Sequence, residues 1–368
     1  MLKRCTIIAI IFMIPLVSMG QKTSQFENPT RLYNQAVDLY DNNVYNSSIE
    51  KFDEFIAANP NDIHITDAQF YIAVSKLKLE HENALVQALE LLKKHPENRK
   101  SNELNLAIAN AYLLKSKFKQ AARHLKNVDL NSLPPGAKDE FTFNKAYALF
   151  KSKKYDEAAI EFQPLTKTEN QFYIKSNYYY GYSLYQEKKY DQALKAFKKI
   201  ENKGPQTMKL YVSQIYYLKG LYKECIDEAS SIALPKLKEK SEMMIGKSYY
   251  KLKQYPKAVS AFEKSNINPN SLSETEQYEV GYAYYKSGKY EKAFDYLSPI
   301  ANGNNELSQL ASYNLGHCFL AMNKKQNALN AFFEAQRKKH SPKVREEALF
   351  QYAKLSYDMD NSVNSTSA

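Results

Sequence analysis

The chain has 368 residues and a formal net charge of +11, from 51 Lys and Arg against 40 Asp and Glu. Only 10 Gly and 13 Pro argue against a loop-rich β fold, and 44% hydrophobic residues exclude an intrinsically disordered chain. The basic excess is spread along the chain, which fits an anionic partner or surface without specifying one.

Residues 1–20 have the layout of a secretory signal peptide. Lys3 and Arg4 precede an apolar run from Ile7 to Val17, and the small residues Ser18 and Gly20 follow. Eleven apolar residues are well short of the roughly 20 that span a bilayer, so cleavage after Gly20 is expected. An uncleaved anchor is the alternative. Cys5 lies before the apolar run and cannot be the lipid-bearing cysteine that follows such a run in a lipoprotein. Residues 21–28 read as a short linker.

From residue 29 the chain repeats. A small residue stands three positions after an aromatic one in Tyr45 and Ser48, Phe118 and Ala121, Tyr155 and Ala158, and Tyr190 and Ala193. The series continues with Tyr222 and Cys225, Tyr255 and Ala258, and Tyr290 and Ala293, while His81 with Ala84 and Lys325 with Ala328 complete it less regularly. Intervals between these small residues are 36, 37, 37, 35, 32, 33, 35 and 35. Twelve positions earlier stands a second small residue: Ala36, Ala109, Ala146, Gly181, Ser213, Gly246, Gly281 and Gly316, with Ile72 the exception. Four positions after the first small residue stands a bulky one, such as Phe52, Phe162, Phe197, Phe262, Leu297 or Phe332; Ala88 and Ala229 depart. Pro60, Pro96, Pro205, Pro269 and Pro342 are expected to close their units, because proline stops a helix.

A period near 34 residues built of two helices resembles the tetratricopeptide repeat family. The resemblance covers nine units over residues 29–342. It implies an all-α, right-handed superhelical solenoid. The landmark spacing places Gly281 against Ala293 inside one pair, and large residues such as Phe262 reaching the next pair. Residues 343–361 read as one further unpaired helix, with Ala348, Leu349, Tyr352, Ala353 and Leu355 at helical spacing; it is either a cap or the first half of another pair. Residues 362–368 read as a disordered tail.

No catalytic or metal-ligating constellation emerges. None of the six histidines stands in an HExxH motif or at ligand spacing from a cysteine. The Gly246–Ser248 triplet GKS lies mid-helix and lacks the preceding loop glycine. Cys225 and Cys318 read as small core residues. The expectation is a non-enzymatic protein without cofactor.

In the resembled family the first helices line a concave face on which partners lie. Positions three before, one after and four after the small landmark turn towards it. They hold Phe143, Tyr147 and Phe150, then Tyr178, Tyr182 and Tyr185, then Tyr278, Tyr282 and Tyr285. Tyr217, Tyr250 and Tyr313 extend the row, and Lys151, Lys247, Lys251 and Lys286 follow it. The carboxylate clamp of the chaperone-binding branch is not reproduced, since Asn110 stands alone between Leu106 and Leu113. With the leader, the chain resembles exported cell-envelope repeat proteins of Gram-negative bacteria. The expected function is a scaffold of the periplasm or outer membrane, peripheral to it, that binds a protein or extended peptide. Outer-membrane or surface-complex components are candidate partners, and nucleic acid is not expected. The alternative is an anionic polymer (cell-wall glycan, lipopolysaccharide or nucleic acid) held by the lysines.

Overall fold

The computed structural model describes residues 29–366. The leader, the linker and the last two residues lie outside the described residues. Nineteen α-helices, three short 3₁₀ turns and no strand make up the described residues, forming a helical repeat solenoid. They divide into two compact units, the first ending at Asp129 and the second beginning at Leu130.

The first unit holds three pairs: α1 (Pro29–Asp41) with α2 (Tyr45–Ala58), α3 (Ile65–Lys78) with α4 (Ala84–Lys94), and α5 (Ser101–Leu114) with α6 (Phe118–Lys126). The second unit opens with α7 (Pro135–Lys151) and α8 (Tyr155–Phe162), α9 (Tyr173–Gln186) and α10 (Tyr190–Lys198), and α11 (Gln206–Leu218) and α12 (Tyr222–Ser230). It continues with α13 (Pro235–Lys251) and α14 (Tyr255–Ser265), α15 (Glu274–Lys286) and α16 (Tyr290–Ala301), and α17 (Glu306–Ala321) and α18 (Lys325–Arg337). The unpaired α19 runs from Pro342 to Thr366, through most of the segment expected as a tail. Extending a formed helix needs no new nucleus, so Asn and Ser there suffice to continue it.

The landmark aromatic is the first residue of the second helix in seven pairs, from Tyr45 to Tyr290. The turn before it is a Schellman closure. Lys189 N–H donates to the Leu184 carbonyl at 2.8 Å, and the same bond recurs from Val44 to Leu39, Leu221 to Tyr216 and Lys324 to Phe319. In eight of the pairs the turn holds one residue with positive φ, five positions before the small landmark, and the second pair holds two, Glu80 and Asn83. Glycine supplies it only at Gly220 and Gly288; Lys153, Lys188 and Lys253 occupy it elsewhere.

Inside a pair the close approach differs from the expected one. A Cβ built on Gly246 would lie 2.4 Å from the Phe262 ring. The corresponding distances are 2.6 Å for Gly181 to Phe197, 2.8 Å for Gly281 to Leu297 and 2.4 Å for Gly316 to Phe332. The landmark glycine therefore makes a notch for the bulky residue sixteen positions on, one helical turn beyond the small residue. Gly281 meets Leu297 and Tyr296 most closely, and Phe262 fills its own pair's notch while sharing a core cluster with Tyr278 and Val280 of the next pair, as expected. The second pair inverts the arrangement: Ile72 and Ala88, at the same spacing, are both buried in one core cluster, with large and small exchanged.

The prolines also act differently from expectation. Pro60 and Pro96 follow α2 and α4, but Pro342, Pro135 and Pro235 are the first residues of α19, α7 and α13, and Pro205 immediately precedes α11. A first-turn N–H has no intrahelical acceptor, so proline loses nothing there.

Candidate functional site: the tyrosine face of the second unit

Successive first helices touch one another, α7 with α9, α9 with α11, α11 with α13, α13 with α15 and α15 with α17. Within this unit each second helix packs against its own first helix and that of the next pair. The first helices thus present one continuous face, and the tyrosines expected there fall on it in two clusters.

The first cluster spans α7, α9 and α11. Phe143 and Tyr147 stack at 6.1 Å, and Phe150 meets Tyr182 edge-on at 5.2 Å. Tyr182 meets Tyr211 at 4.7 Å, and Tyr185 meets Tyr211 at 5.5 Å. The second cluster spans α13, α15 and α17: Tyr250 lies 6.0 Å from Tyr282, Tyr278 stacks on Tyr282 at 5.8 Å, and Tyr285 and Tyr313 both reach His317. Tyr217 stands between the clusters, against Tyr222 at 5.5 Å and under the Lys247 ammonium.

Eleven of the twelve expected residues are half-buried, and Tyr278 is buried, only 9% exposed, within the core. Several phenols are already engaged. Tyr185 donates to Gln214 Oε1 at 3.0 Å, Tyr178 lies 3.2 Å from Thr207 Oγ1, and Tyr278 accepts from Asn314 Nδ2 at 3.0 Å. Burial raises the pKa of Tyr178, Tyr185 and Tyr278, so these phenols stay neutral donors and acceptors. The second cluster surrounds a recess of about 500 Å³ lined by Tyr250, Tyr255, Tyr278, Tyr282 and Tyr313, with Lys251, Lys343 and Glu347 at its edge.

The lysines differ from a free basic rim. Lys247 pairs with Glu276 at 2.9 Å and Lys251 with Glu279 at 2.7 Å, each one pair further along. Lys286 lies over the rings of Tyr282 and Tyr285, at 5.4 and 5.2 Å. Lys151 lies 5.9 Å above Tyr147. Two of the four charges are thus neutralised by carboxylates, and the other two sit over rings.

Sequence reasoning missed the residue two positions before four of the landmarks, Gly181, Ser213, Gly281 and Gly316. That position holds Tyr179, Tyr211, Glu279 and Asn314, and each reaches back to the preceding first helix. Tyr179 meets Phe143, Tyr147, Phe150 and Phe162, and burial pushes its phenol up to about 12. The signal was available as an aromatic or polar side chain at constant offset from the landmark. Tyr255, read only as a helix start, also lines the recess.

Cys225 and Cys318 are buried free thiols. Among the described residues no group of three or more His, Cys, Asp or Glu is placed to hold a metal, and no helix is long and apolar enough to cross a membrane.

Residues 175–207 and 241–271, which include most of α9 and α13 and all of α10 and α14, match the tetratricopeptide repeat family. The match supports the repeat family inferred from the landmarks. A search of curated proteins gives no match. Among solved structures, Naa15/Naa10 bound to HypK-THB is similar with 14% identity and a TM-score of 0.47, over 89% of this chain and 55% of that one. This chain thus spans about half the length of that relative. A tetratricopeptide repeat protein from Parabacteroides merdae ATCC 43184 is similar at 12% identity and TM-score 0.30, over 88% and 98% of the two chains. Yeast Tom70 is similar at 11% identity and TM-score 0.33, over 90% and 96%.

Proposed function

We propose that the protein is a non-enzymatic protein-binding scaffold, and that an extended peptide of its partner lies along the tyrosine face of the second unit. The observation that carries this reading is the recess between α13, α15 and α17. Five tyrosines converge there on a volume of about 500 Å³, a size that takes one or two side chains. Half-buried rings held edge to face are rigid, so they contribute contact area at little cost in side-chain entropy. The match to the tetratricopeptide repeat family supports an interaction scaffold.

The proposal extends to place. The basic and apolar leader of residues 1–20 supports export, and hence a scaffold of the periplasm or cell envelope. Envelope components would then be its partners. The ion pairs of Lys247 and Lys251 weigh against an anionic polymer on this face, because half of the charge expected for it is already matched.

The test is replacement of Tyr250, Tyr282 and Tyr313 together by Ala, followed by crosslinked capture from intact cells. Capture should fail while the circular dichroism of the helices is retained. Capture that persists in the triple variant would remove the tyrosine face from the function. Binding by the native protein that collapses as salt is raised would instead indicate a polyanion.

A further inference from the structure

A recess of about 880 Å³ in the second unit lies away from the tyrosine face, between the second helices α16 and α18 and floored by α17. Helix α17 serves both sites from two of its sides. Leu310, Tyr313 and Asn314 border the tyrosine recess, whereas Ser312, Leu315 and Phe319 border this one.

Its lining has three parts. Leu315 and Phe319 form an apolar floor, with Phe294 on the wall, 38% exposed. Asn327 and Asn330 project from α18 one turn apart. The Asn327 amide makes no hydrogen bond within the described residues, and Asn330 engages only its Oδ1, with Gln326 at 3.4 Å. The end of α18 supplies Arg337, Lys338 and Lys339. Against them the lining offers one carboxylate, Glu334, which pairs with Arg337 at 3.1 Å. Lys338 Nζ donates to the carbonyls of Ala301 and Ser308 and to Ser312 Oγ, none of them an anion.

The excess of cations is not a property of the fold. The recess of the same construction in the first unit, between α2 and α4 over α3, has about 490 Å³ and sets Asp53 and Glu90 against Lys76 and Lys94. That lining is balanced.

We infer that the recess between α16 and α18 is a second protein-docking groove, and that its occupant is an extended acidic peptide segment. A primary amide carries a donor and an acceptor side by side, which matches the N–H and C=O of an extended backbone. The apolar floor takes alternate side chains, and the lysine end takes carboxylates. A nucleic acid or other polyanion would use the charge but leave the floor and the amides without a role.

The probe is a fluorescein-labelled peptide of alternating glutamate and leucine, with its lysine–leucine counterpart as control, read by fluorescence polarisation on the full chain. Only the acidic peptide should bind. Lys339→Glu, and separately Asn327→Ala with Asn330→Ala, should each weaken it about tenfold with helix content unchanged, a change of about 1.4 kcal/mol. Tyr282→Ala with Tyr313→Ala should bind it as the native chain does, which separates this groove from the tyrosine face. The inference falls if the acidic peptide does not bind, if Lys339→Glu binds as the native chain, if the tyrosine variant loses binding equally, or if an oligothymidylate displaces the peptide as well as unlabelled peptide does.

Discussion

The backbone of Gly246 lies against the Phe262 ring so closely that no Cβ fits between them: the nearest ring atom would be 2.4 Å away. The neighbour is a packed ring rather than the loose end of a flexible chain. Gly246→Ala should therefore lower stability by about 1–3 kcal/mol, despite the roughly 1 kcal/mol that alanine gains over glycine in a helix. Phe262→Leu in the same chain should recover part of the loss. Urea midpoints of the two single variants and the double variant check this; strictly additive losses would show that the two positions do not share the space.

The inverted second pair permits the converse experiment. Ala88→Phe alone should overpack the core and cost about 1–3 kcal/mol. Combined with Ile72→Ala, which restores the arrangement of the other pairs, it should be less damaging than the sum of the two changes. Thermal melts of the four chains decide the matter, and a combined loss equal to or greater than the sum would refute the exchange of volumes.

Lys153 and Lys188 hold the left-handed turn position with φ of 62° and 58°. A side chain there is strained, and the neighbouring pairs use Gly220 and Gly288 at the same place. Lys188→Gly should stabilise the protein by up to about 1 kcal/mol, and Gly288→Ala should destabilise it by a similar amount. Chemical denaturation measures both signs.

His317 lies 4.7 Å from Tyr313 and 5.2 Å from Phe332. Burial, reinforced by the Lys286 ammonium, lowers its pKa from the ordinary value, while Glu347 opposes that shift. His124 is lowered in the same way by burial and Arg123. A folded pKa below the unfolded one means that the unfolded chain binds the proton first. Stability contributed by these rings is therefore full above the ordinary histidine value near 6.5 and declines as pH falls below it. His317→Gln should flatten part of that decline. Melting temperatures measured from neutral to mildly acidic pH would show this, and an unaltered slope would exclude His317 as a contributor.

Much of the fold is legible because a helix pair repeats its steric problem. The aromatic that opens each second helix and the small residue beneath the turn recur at near-constant intervals, so Tyr190 and Ala193 locate the same joint as Tyr290 and Ala293. What periodicity does not reveal is which side chain fills which space. Gly281 and Ala293 share a spacing, but the helix crossing delivers Leu297 to the glycine. Ile72 and Ala88 break the pattern one at a time and restore it as a couple. On the tyrosine face, the aromatic positions followed from their offset to the landmark. Their engagement did not, because Lys247 and Glu276, or Tyr278 and Asn314, meet only once the next pair has docked. Tyr278 illustrates the limit: its register is that of Tyr178, yet the packing of α17 leaves it almost covered.

The two buried sulfhydryls give the second unit an internal clock for opening. Cys225 lies beneath α13, where it accepts a bond from Ser248 Oγ at 3.2 Å, and Cys318 sits wholly inside the α17 core with its thiol pushed up to about 12 by burial. An alkylating reagent can reach either sulfur only when the surrounding helices part. The rates at which the two label, followed separately by peptide mass, would therefore report how often the α12–α13 joint and the α17 core each breathe, without a dye or an engineered site.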